Sequence, residues 1–226
     1  MIKIRSFSNC LFFFIVFLAM LSMISCQKQQ DVCYSCDSEI DAFVKANKEQ
    51  LLHFNLTDLT LLELEKQKAA YRSYNAIKKS ALWKEKYKFI LDNADNLYNQ
   101  EELKEIRVLY DFISPDIVEN REEILLFVEE WFLRTKEKFS WSDNRYRFLF
   151  FSLEFDETAF LAREVDPKPT VYCNCNDKHS GILIEDCPSI MPDCRKVTTC
   201  EATDSGCGYI WIDKCNGDCF FENEPT

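Results

Sequence analysis

Apolar residues recur at helical spacing through the middle of the chain, from about residue 38 to residue 163. Trp83, Tyr87, Ile90, Ala94 and Leu97 fall on one face of a predicted helix. Three further stripes are Leu103, Ile106, Tyr110 and Ile113; Ile117, Ile124, Val128, Trp131 and Thr135; and Phe148, Phe151 and Phe155. The pattern therefore predicts several amphipathic helices that share one core.

Helix starts can be predicted at two places, and helix breakers are rare before residue 166. Asn99 is a suitable N-cap because Glu102 follows three residues later, and Ser114 followed by Pro115 predicts another helix start. Pro115 is the only proline between Cys26 and Asp166, and all four glycines lie beyond residue 180. We therefore expect residues 38–165 to form an all-helical domain, a bundle of four to six helices.

The composition of the sequence changes after Asp166, where two prolines one residue apart favour an extended backbone. Residues 166–172 are the predicted linker, and residues 173–226 are rich in cysteine and turn formers. Short strands are expected at 170–172 and 209–212. The predicted fold class is mainly α, a helical bundle followed by a small disulfide-rich module with short β-strands.

The N-terminal segment has the features of an export signal. Lys3 and Arg5 precede an apolar run from residue 11 to residue 23, and Ser25 and Cys26 follow it. The segment resembles a bacterial lipoprotein signal peptide, which implies that residues 1–25 are removed and that Cys26 carries the lipid anchor. Two alternatives are an uncleaved membrane helix and a plain secretory signal that leaves Cys26 as a thiol. Residues 26–37 are the expected tether.

Cysteine usage points to disulfides made outside the cytosol. Of twelve cysteines, Cys10 lies in the signal and Cys26 is assigned to the lipid. Cys33 and Cys36 are expected to form a local disulfide or to pair with the C-terminal module, since the strand-then-helix context of a redox motif is missing. The remaining eight are expected to form disulfides whose pairing the sequence leaves open. They are Cys173, Cys175, Cys187, Cys194, Cys200, Cys207, Cys215 and Cys219.

The chain is acidic, and this excludes one class of partner. Removal of Lys3 and Arg5 with the signal takes the formal net charge from −11 to −13. Nucleic-acid binding requires a basic face, which this sequence does not offer, so no nucleic acid is expected as a partner. Anionic membrane surfaces should also repel the mature chain, and the charge serves to keep an envelope protein soluble.

The eight-cysteine segment carries a resemblance to a known family. It has Cys173-Asn174-Cys175, Cys187-Pro188, Cys194 and Cys200, then Gly206-Cys207-Gly208 with Trp211, and finally Cys215-Asn216-Gly217. In this order the residues resemble fulvocin C, a small cysteine-rich bacteriocin, and the fulvocin C-related lipoproteins of bacterial envelopes. The resemblance implies antimicrobial ancestry for residues 173–219 and says nothing about the helical domain. Cys219, which follows the last triplet, prevents the family's pairing from being carried over.

Catalytic chemistry is not indicated. His53 and His179 are the only histidines, and the sequence contains no nucleophile elbow, phosphate loop or zinc-protease motif. Cys173, Cys175 and His179 do not have the spacing of a structural zinc site. We therefore expect no enzyme, no metal and no cofactor, and we interpret Glu129-Glu130 as part of a solvated helix face.

The sequence thus predicts a lipid-anchored envelope protein that acts by binding. The membrane would be contacted through the lipid on Cys26, and a further partner would be an unidentified envelope protein or receptor. The outer membrane is the expected location, facing the periplasm or the surface. The module would act as a bacteriocin-like effector or its precursor, released by cleavage in the linker. The alternative is a structural or adhesive lipoprotein without toxic activity.

Overall fold

A computed structural model describes residues 32–35, 37–93, 97–164, 175, 193–196, 205–215 and 217–220. The predicted signal peptide, the cysteine expected to carry the lipid (Cys26) and the predicted linker at 166–172 lie outside the described residues, as does the strand expected at 170–172. The described part is mainly helical, which confirms the fold class at that level.

Eight α-helices are present in the described residues, more than the four to six that were predicted. They are α1 Ser38–Leu51, α2 Leu56–Thr60, α3 Leu64–Arg72, α4 Ala76–Asn93, α5 Gln100–Phe112, α6 Arg121–Phe139, α7 Asp143–Phe151 and α8 Glu157–Glu164. The difference arises from the short helices, because two turns or fewer carry too little periodicity to be recognised in a sequence.

The N-caps follow the sequence signals closely at one helix and depart from them at another. Asn99 caps α5, and its side chain and that of Glu102 exchange the bonds of a capping box, as predicted. The helix start predicted at Ser114-Pro115 is wrong. A separate 3₁₀ turn, Ile117–Glu119, follows the proline, and α6 begins only at Arg121. Asn120 leaves the helical conformation to cap α6 by accepting from the backbone N–H of Glu123.

Helices α5 and α6 pack side by side, antiparallel to each other. The Trp131 indole donates to the carbonyl of Glu105 over 3.2 Å, and Lys138 near the end of α6 pairs with Glu101 near the start of α5. At the other end the rings of Phe112 and Phe127 stack with centroids 3.6 Å apart. The buried positions at Ile124, Val128, Trp131 and Thr135 confirm the predicted inner face of α6.

The C-terminal region differs from the prediction at residues 209–212. Tyr209–Trp211 forms a 3₁₀ turn instead of a strand, and Ile210 and Trp211 have φ of 48° and 59°. Two other segments form strands, β1 Asp193–Lys196 and β2 Gly217–Phe220. They pair antiparallel with Cys194 opposite Cys219.

Among the described helices, none combines the length and the apolar character that crossing a membrane requires.

Candidate functional site

The segment from Ser205 to Cys215, here called the docked loop, lies against the helical bundle. A disulfide joins Cys207 to Cys215 and closes the loop. Inside it, the backbone groups of Cys207 and Asp213 exchange two hydrogen bonds of 3.0 and 2.7 Å, and Gly206 N–H donates to the carbonyl of Trp211 over 2.8 Å. The disulfide and these hydrogen bonds therefore hold the two ends of the loop together from within.

Trp211 anchors the docked loop in the helical core. Its side chain is fully buried, and its indole N–H donates to the carbonyl of Phe151 at the end of α7 over 3.0 Å. The ring packs edge-on against Tyr71 of α3 and Trp83 of α4, at centroid distances of 5.3 and 6.0 Å. A buried indole with its N–H satisfied contributes both its large apolar area and its polar handle to the fold.

A chain of hydrogen bonds connects α3 and α4 to the loop backbone. The Trp83 indole donates to the Tyr71 hydroxyl over 3.2 Å, and that hydroxyl donates to the carbonyl of Ile210 over 3.1 Å. Burial raises the pKa of Tyr71, so the hydroxyl keeps the proton that it donates. The left-handed conformation of Ile210 is thus fixed from outside the loop, by a helix residue.

Two glycines allow charged side chains to approach the loop backbone. A Cβ added to Gly208 would lie 2.2 Å from a carboxylate oxygen of Asp213, and one added to Gly206 would lie 2.5 Å from the guanidinium of Arg72. Both glycines also have positive φ, at 114° for Gly206 and 72° for Gly208. Glycine is therefore required on both sides of Cys207, because a charged side chain comes close to the backbone at each of these positions.

Arg72 joins the docked loop to the N-terminal segment. Its Nε donates to the carbonyl of Ser205 and one Nη to the carbonyl of Tyr34, each over 2.6 Å. The other Nη donates to Sγ of Cys215 over 2.9 Å. Burial lowers the pKa of Arg72 to about 10, against the opposing influence of Glu65 and Cys33, so the group remains a cation at neutral pH.

Asp213 makes the second charged contact of the loop. Its carboxylate is buried and accepts from Nε of Arg121, the first residue of α6. A cation at a helix N-terminus is normally unfavourable because the helix dipole is positive there. The buried carboxylate explains why an arginine is found at this position.

The cysteines chosen from the sequence separate into three groups. Cys207 and Cys215 form the disulfide of the loop, and Cys175 is buried and disulfide-bonded. Cys194 and Cys219 occupy opposed backbone positions in the two strands. The others lie outside the described residues and are Cys26, Cys36, Cys173, Cys187 and Cys200.

Cys33 differs from the expectation for it. The structure has a free thiol at this position, half-buried, with its Sγ donating to the carbonyl of Ser35 over 2.9 Å. The disulfide that was predicted for Cys33 is therefore not formed. The thiol satisfies its hydrogen bond with a local carbonyl instead.

A second polar cluster lies between α5, α7 and α8. Glu157 accepts from the hydroxyl of Tyr98 over 2.8 Å and from Nε of Arg145 over 2.9 Å, and Arg145 also approaches Glu102 at 3.7 Å. Burial raises the pKa of Tyr98, and the Glu157 carboxylate raises it further. Each carboxylate has cationic or hydrogen-bonding partners, so this cluster ties helices together.

Lys86 of α4 is the most deeply buried cation in the described residues. Its ammonium donates to the carbonyls of Phe148, Leu149 and Ser152, which lie at the C-terminal end of α7. Burial lowers its pKa well below the ordinary lysine value, while Glu154 and Glu157 act in the opposite direction. Lys86 therefore caps a helix end whose carbonyls have no partner within α7.

Neither of the two histidines lies in the docked loop. His53 is exposed in the turn after α1, and His179 lies outside the described residues. Within the part of the chain that the structure describes, no group of three or more histidine, cysteine or acidic side chains is arranged to hold a metal ion.

Arg72, Asp213 and Arg121 were missed by the sequence reasoning. The Gly-Cys-Gly motif is a sequence signal for close approach to the backbone, but it does not identify the side chain that approaches.

Comparison with known proteins gives no match: no protein-family model, no curated protein and no solved structure is similar to this chain.

Proposed function

We propose that this protein is an exported bacterial envelope lipoprotein, anchored through Cys26, that acts by binding as an intact chain. Its partner is an envelope protein or receptor, and its cysteine-rich region belongs to the same folded body as the helices. The anchor is supported by the resemblance of the N-terminal segment to a lipoprotein signal peptide. The observation that supports an intact chain is the burial of Tyr209, Ile210 and Trp211 among α3, α4 and α7.

The same observation argues against a released effector. Replacement of a buried tryptophan by alanine costs about 3–5 kcal/mol in typical cores, which indicates how strongly Trp211 holds the loop to the helices. Arg72 and Asp213 add charged contacts across the same boundary. A cut in the linker would therefore leave the C-terminal fragment attached to the bundle. Any antimicrobial action would belong to the whole chain.

A released, bacteriocin-like effector remains the second candidate, because the order of Gly206-Cys207-Gly208, Trp211 and Cys215-Asn216-Gly217 resembles fulvocin C. The two candidates predict different forms of the protein outside the cell. An intact chain should stay with the membrane fraction, whereas an effector should give a fragment that begins near residue 170 in the supernatant.

The experiment is fractionation of expressing bacteria followed by mass spectrometry of the intact protein. We expect the full mature chain with acyl mass on Cys26 in the membrane fraction, and Cys26→Ser should move it to the soluble fraction. A free C-terminal fragment in the medium would contradict the intact-chain proposal. Absence of acyl mass would contradict the anchor alone.

Activity separates a toxic binding protein from a structural or adhesive one. The detergent-solubilised full chain is spotted on lawns of related bacteria, with Trp211→Ala as the matched variant that releases the loop. Clearing by the wild-type chain supports a toxic binding function. No clearing, together with retention of cells or envelope fragments on the immobilised protein, supports the adhesive form.

A further inference from the structure

The free thiol of Cys33 and the Cys207–Cys215 disulfide both lie near the guanidinium of Arg72, where the N-terminal segment meets the docked loop. Arg72 donates through one Nη to the carbonyl of Tyr34, the residue after Cys33, and through the other to Sγ of Cys215. Cys33 is a free thiol, and Cys215 is bonded to Cys207. A nucleophile and a disulfide are thus neighbours of the same cation.

We infer that Cys33 is an exchange thiol whose target is the Cys207–Cys215 disulfide, and that Arg72 is the positioning residue for this exchange. The inference goes beyond the proposed function and does not depend on the lipid anchor. It gives a role to a free thiol that lies next to a residue bound by the same arginine as the buried disulfide.

The exchange requires no external oxidant or reductant. The Cys33 thiol gives its proton to solvent, and the resulting thiolate attacks Sγ of Cys207. A Cys33–Cys207 bond forms, the Cys207–Cys215 bond breaks, and the electron pair of the broken bond leaves on Sγ of Cys215. One disulfide and one thiol are present before and after the reaction.

Arg72 favours this direction of attack because it contacts the sulfur that leaves. A hydrogen bond from a cation to an anion is roughly twice as strong as one between neutral groups, so the contact with Cys215 strengthens as negative charge develops. Stabilisation of the leaving thiolate accelerates thiol–disulfide exchange.

Because the Cys207–Cys215 disulfide is buried, the Cys33 thiol has an advantage over thiols in solution. Cys207 and Cys215 are almost fully buried, with exposed fractions of 1% and 0%, so a dissolved thiol has no exposed sulfur to attack. Cys33 is half-buried. Its hydrogen bond to the Ser35 carbonyl and the hydrogen bond from Arg72 to the Tyr34 carbonyl hold this segment against the folded chain. An intramolecular reactant has a large advantage in effective concentration.

The product fastens the N-terminal segment to the docked loop and moves the free thiol to Cys215. The chain would then have two covalent states, one in which the N-terminal segment has no covalent bond to the loop and one in which Cys33 joins it to the loop.

The experiment follows the free thiol in the purified full-length mature protein. Samples are held at pH 5 and at pH 8.5 without added thiol, trapped with N-ethylmaleimide under acid, denaturing conditions, and mapped by non-reducing digestion and mass spectrometry. At pH 5 we expect the label on Cys33 and an intact Cys207–Cys215 peptide pair. At pH 8.5 the label should move to Cys215 with time, and a Cys33–Cys207 pair should appear.

Variants test the two named roles. Cys33→Ser should abolish the new pair and leave Cys207–Cys215 unchanged. Arg72→Gln should slow exchange about tenfold or more, because a charged hydrogen bond to the leaving sulfur is lost. Arg72→Lys keeps the cation and should restore part of the rate. Far-UV circular dichroism identifies any variant that has lost its helices. If Arg72→Gln has lost them, the exchange rate of Arg72→Lys is the test.

Three outcomes would overturn the inference. The first is a label that stays on Cys33 at pH 8.5 while Cys207–Cys215 persists. The second is native protein in which Cys33 is already bonded to another cysteine, such as Cys36. The third is a folded Arg72→Gln variant with the wild-type rate of exchange.

Discussion

At the scale of single residues, the docked loop depends on Trp211 more than on any other side chain of residues 205–215. The indole is fully buried, donates one hydrogen bond and contacts aromatic rings from two helices. Removing it would leave a cavity in the helical core and would remove the hydrogen bond to the Phe151 carbonyl.

Trp211→Ala should lower the free energy of unfolding by about 3–5 kcal/mol, because a large core side chain is lost and the cavity collapses only partly. Urea denaturation followed by circular dichroism measures the change. Leu133→Ala is the matched control, since Leu133 is 55% exposed and its replacement should change the free energy by less than about 0.5 kcal/mol. Equal effects of the two changes would show that Trp211 is not an anchor.

Gly208→Ala should destabilise the protein by more than about 1 kcal/mol, for two reasons that act together. The backbone has φ of 72°, which alanine rarely adopts, and the added Cβ would lie 2.2 Å from the Asp213 carboxylate. The same urea titration detects the loss. A variant within about 0.3 kcal/mol of wild type would mean that the loop can move away from Asp213.

At the scale of elements, helix ends are satisfied by different means along the chain. The starts of α1, α5 and α6 use the side chain of the residue before the helix, at Asp37, Asn99 and Asn120. The end of α7 is instead satisfied by Lys86, which belongs to α4. A local cap can be found in a sequence, whereas a cap donated by another helix cannot.

Lys86 should give the protein a stability that rises with pH. Because burial lowers its pKa in the folded state, the folded chain binds fewer protons than the unfolded chain between that lowered value and the model lysine pKa of 10.5. Folding is therefore favoured as pH rises through this window, by up to about 1.4 kcal/mol per pH unit.

Urea titrations of the wild type and Lys86→Met between pH 7 and pH 10 measure this dependence. We expect the wild type to gain stability relative to Lys86→Met as the pH rises. Lys88→Met, which removes an exposed pair with Asp92, should keep the wild-type dependence. Parallel curves for the wild type and Lys86→Met would mean that Lys86 titrates alike in both states.

At the scale of the whole molecule, the helical bundle and the docked loop should behave as one cooperative body. The loop supplies Tyr209, Ile210 and Trp211 to the core, and Arg72 and Arg121 from the bundle bind its backbone and its carboxylate. Neither part would keep a complete core alone.

A protease site engineered between Asp166 and Thr170 tests this unity. After cleavage, the two fragments should elute together from a gel-filtration column under native conditions and separate only in denaturant with reductant. The uncut protein of the same variant is the control for elution volume. Separation of the fragments without denaturant would show that the C-terminal region folds and leaves by itself.

Much of the helical domain could be predicted from the chain because its signals are local. Periodic apolar residues identified the inner face of α6, and Asn99 with Glu102 identified the start of α5, since both features depend on neighbours within a few residues. The start of α6 was misplaced because Ser114-Pro115 and Asn120 are both acceptable caps. Only the packing of Ile117 and Val118 into the core chose between them.

The sequence by itself determined the helical class, the Asn99 cap of α5 and the inner face of α6, because each of these follows from local geometry. The tertiary structure alone decided that residues 209–211 form a buried turn instead of a strand and that Arg72 and Asp213 are the groups the glycines admit. The physical reason is distance along the chain: Tyr71 and Ile210 are 139 residues apart, and their hydrogen bond has no local signature. The small apolar interior of the C-terminal region is completed by the helices around it.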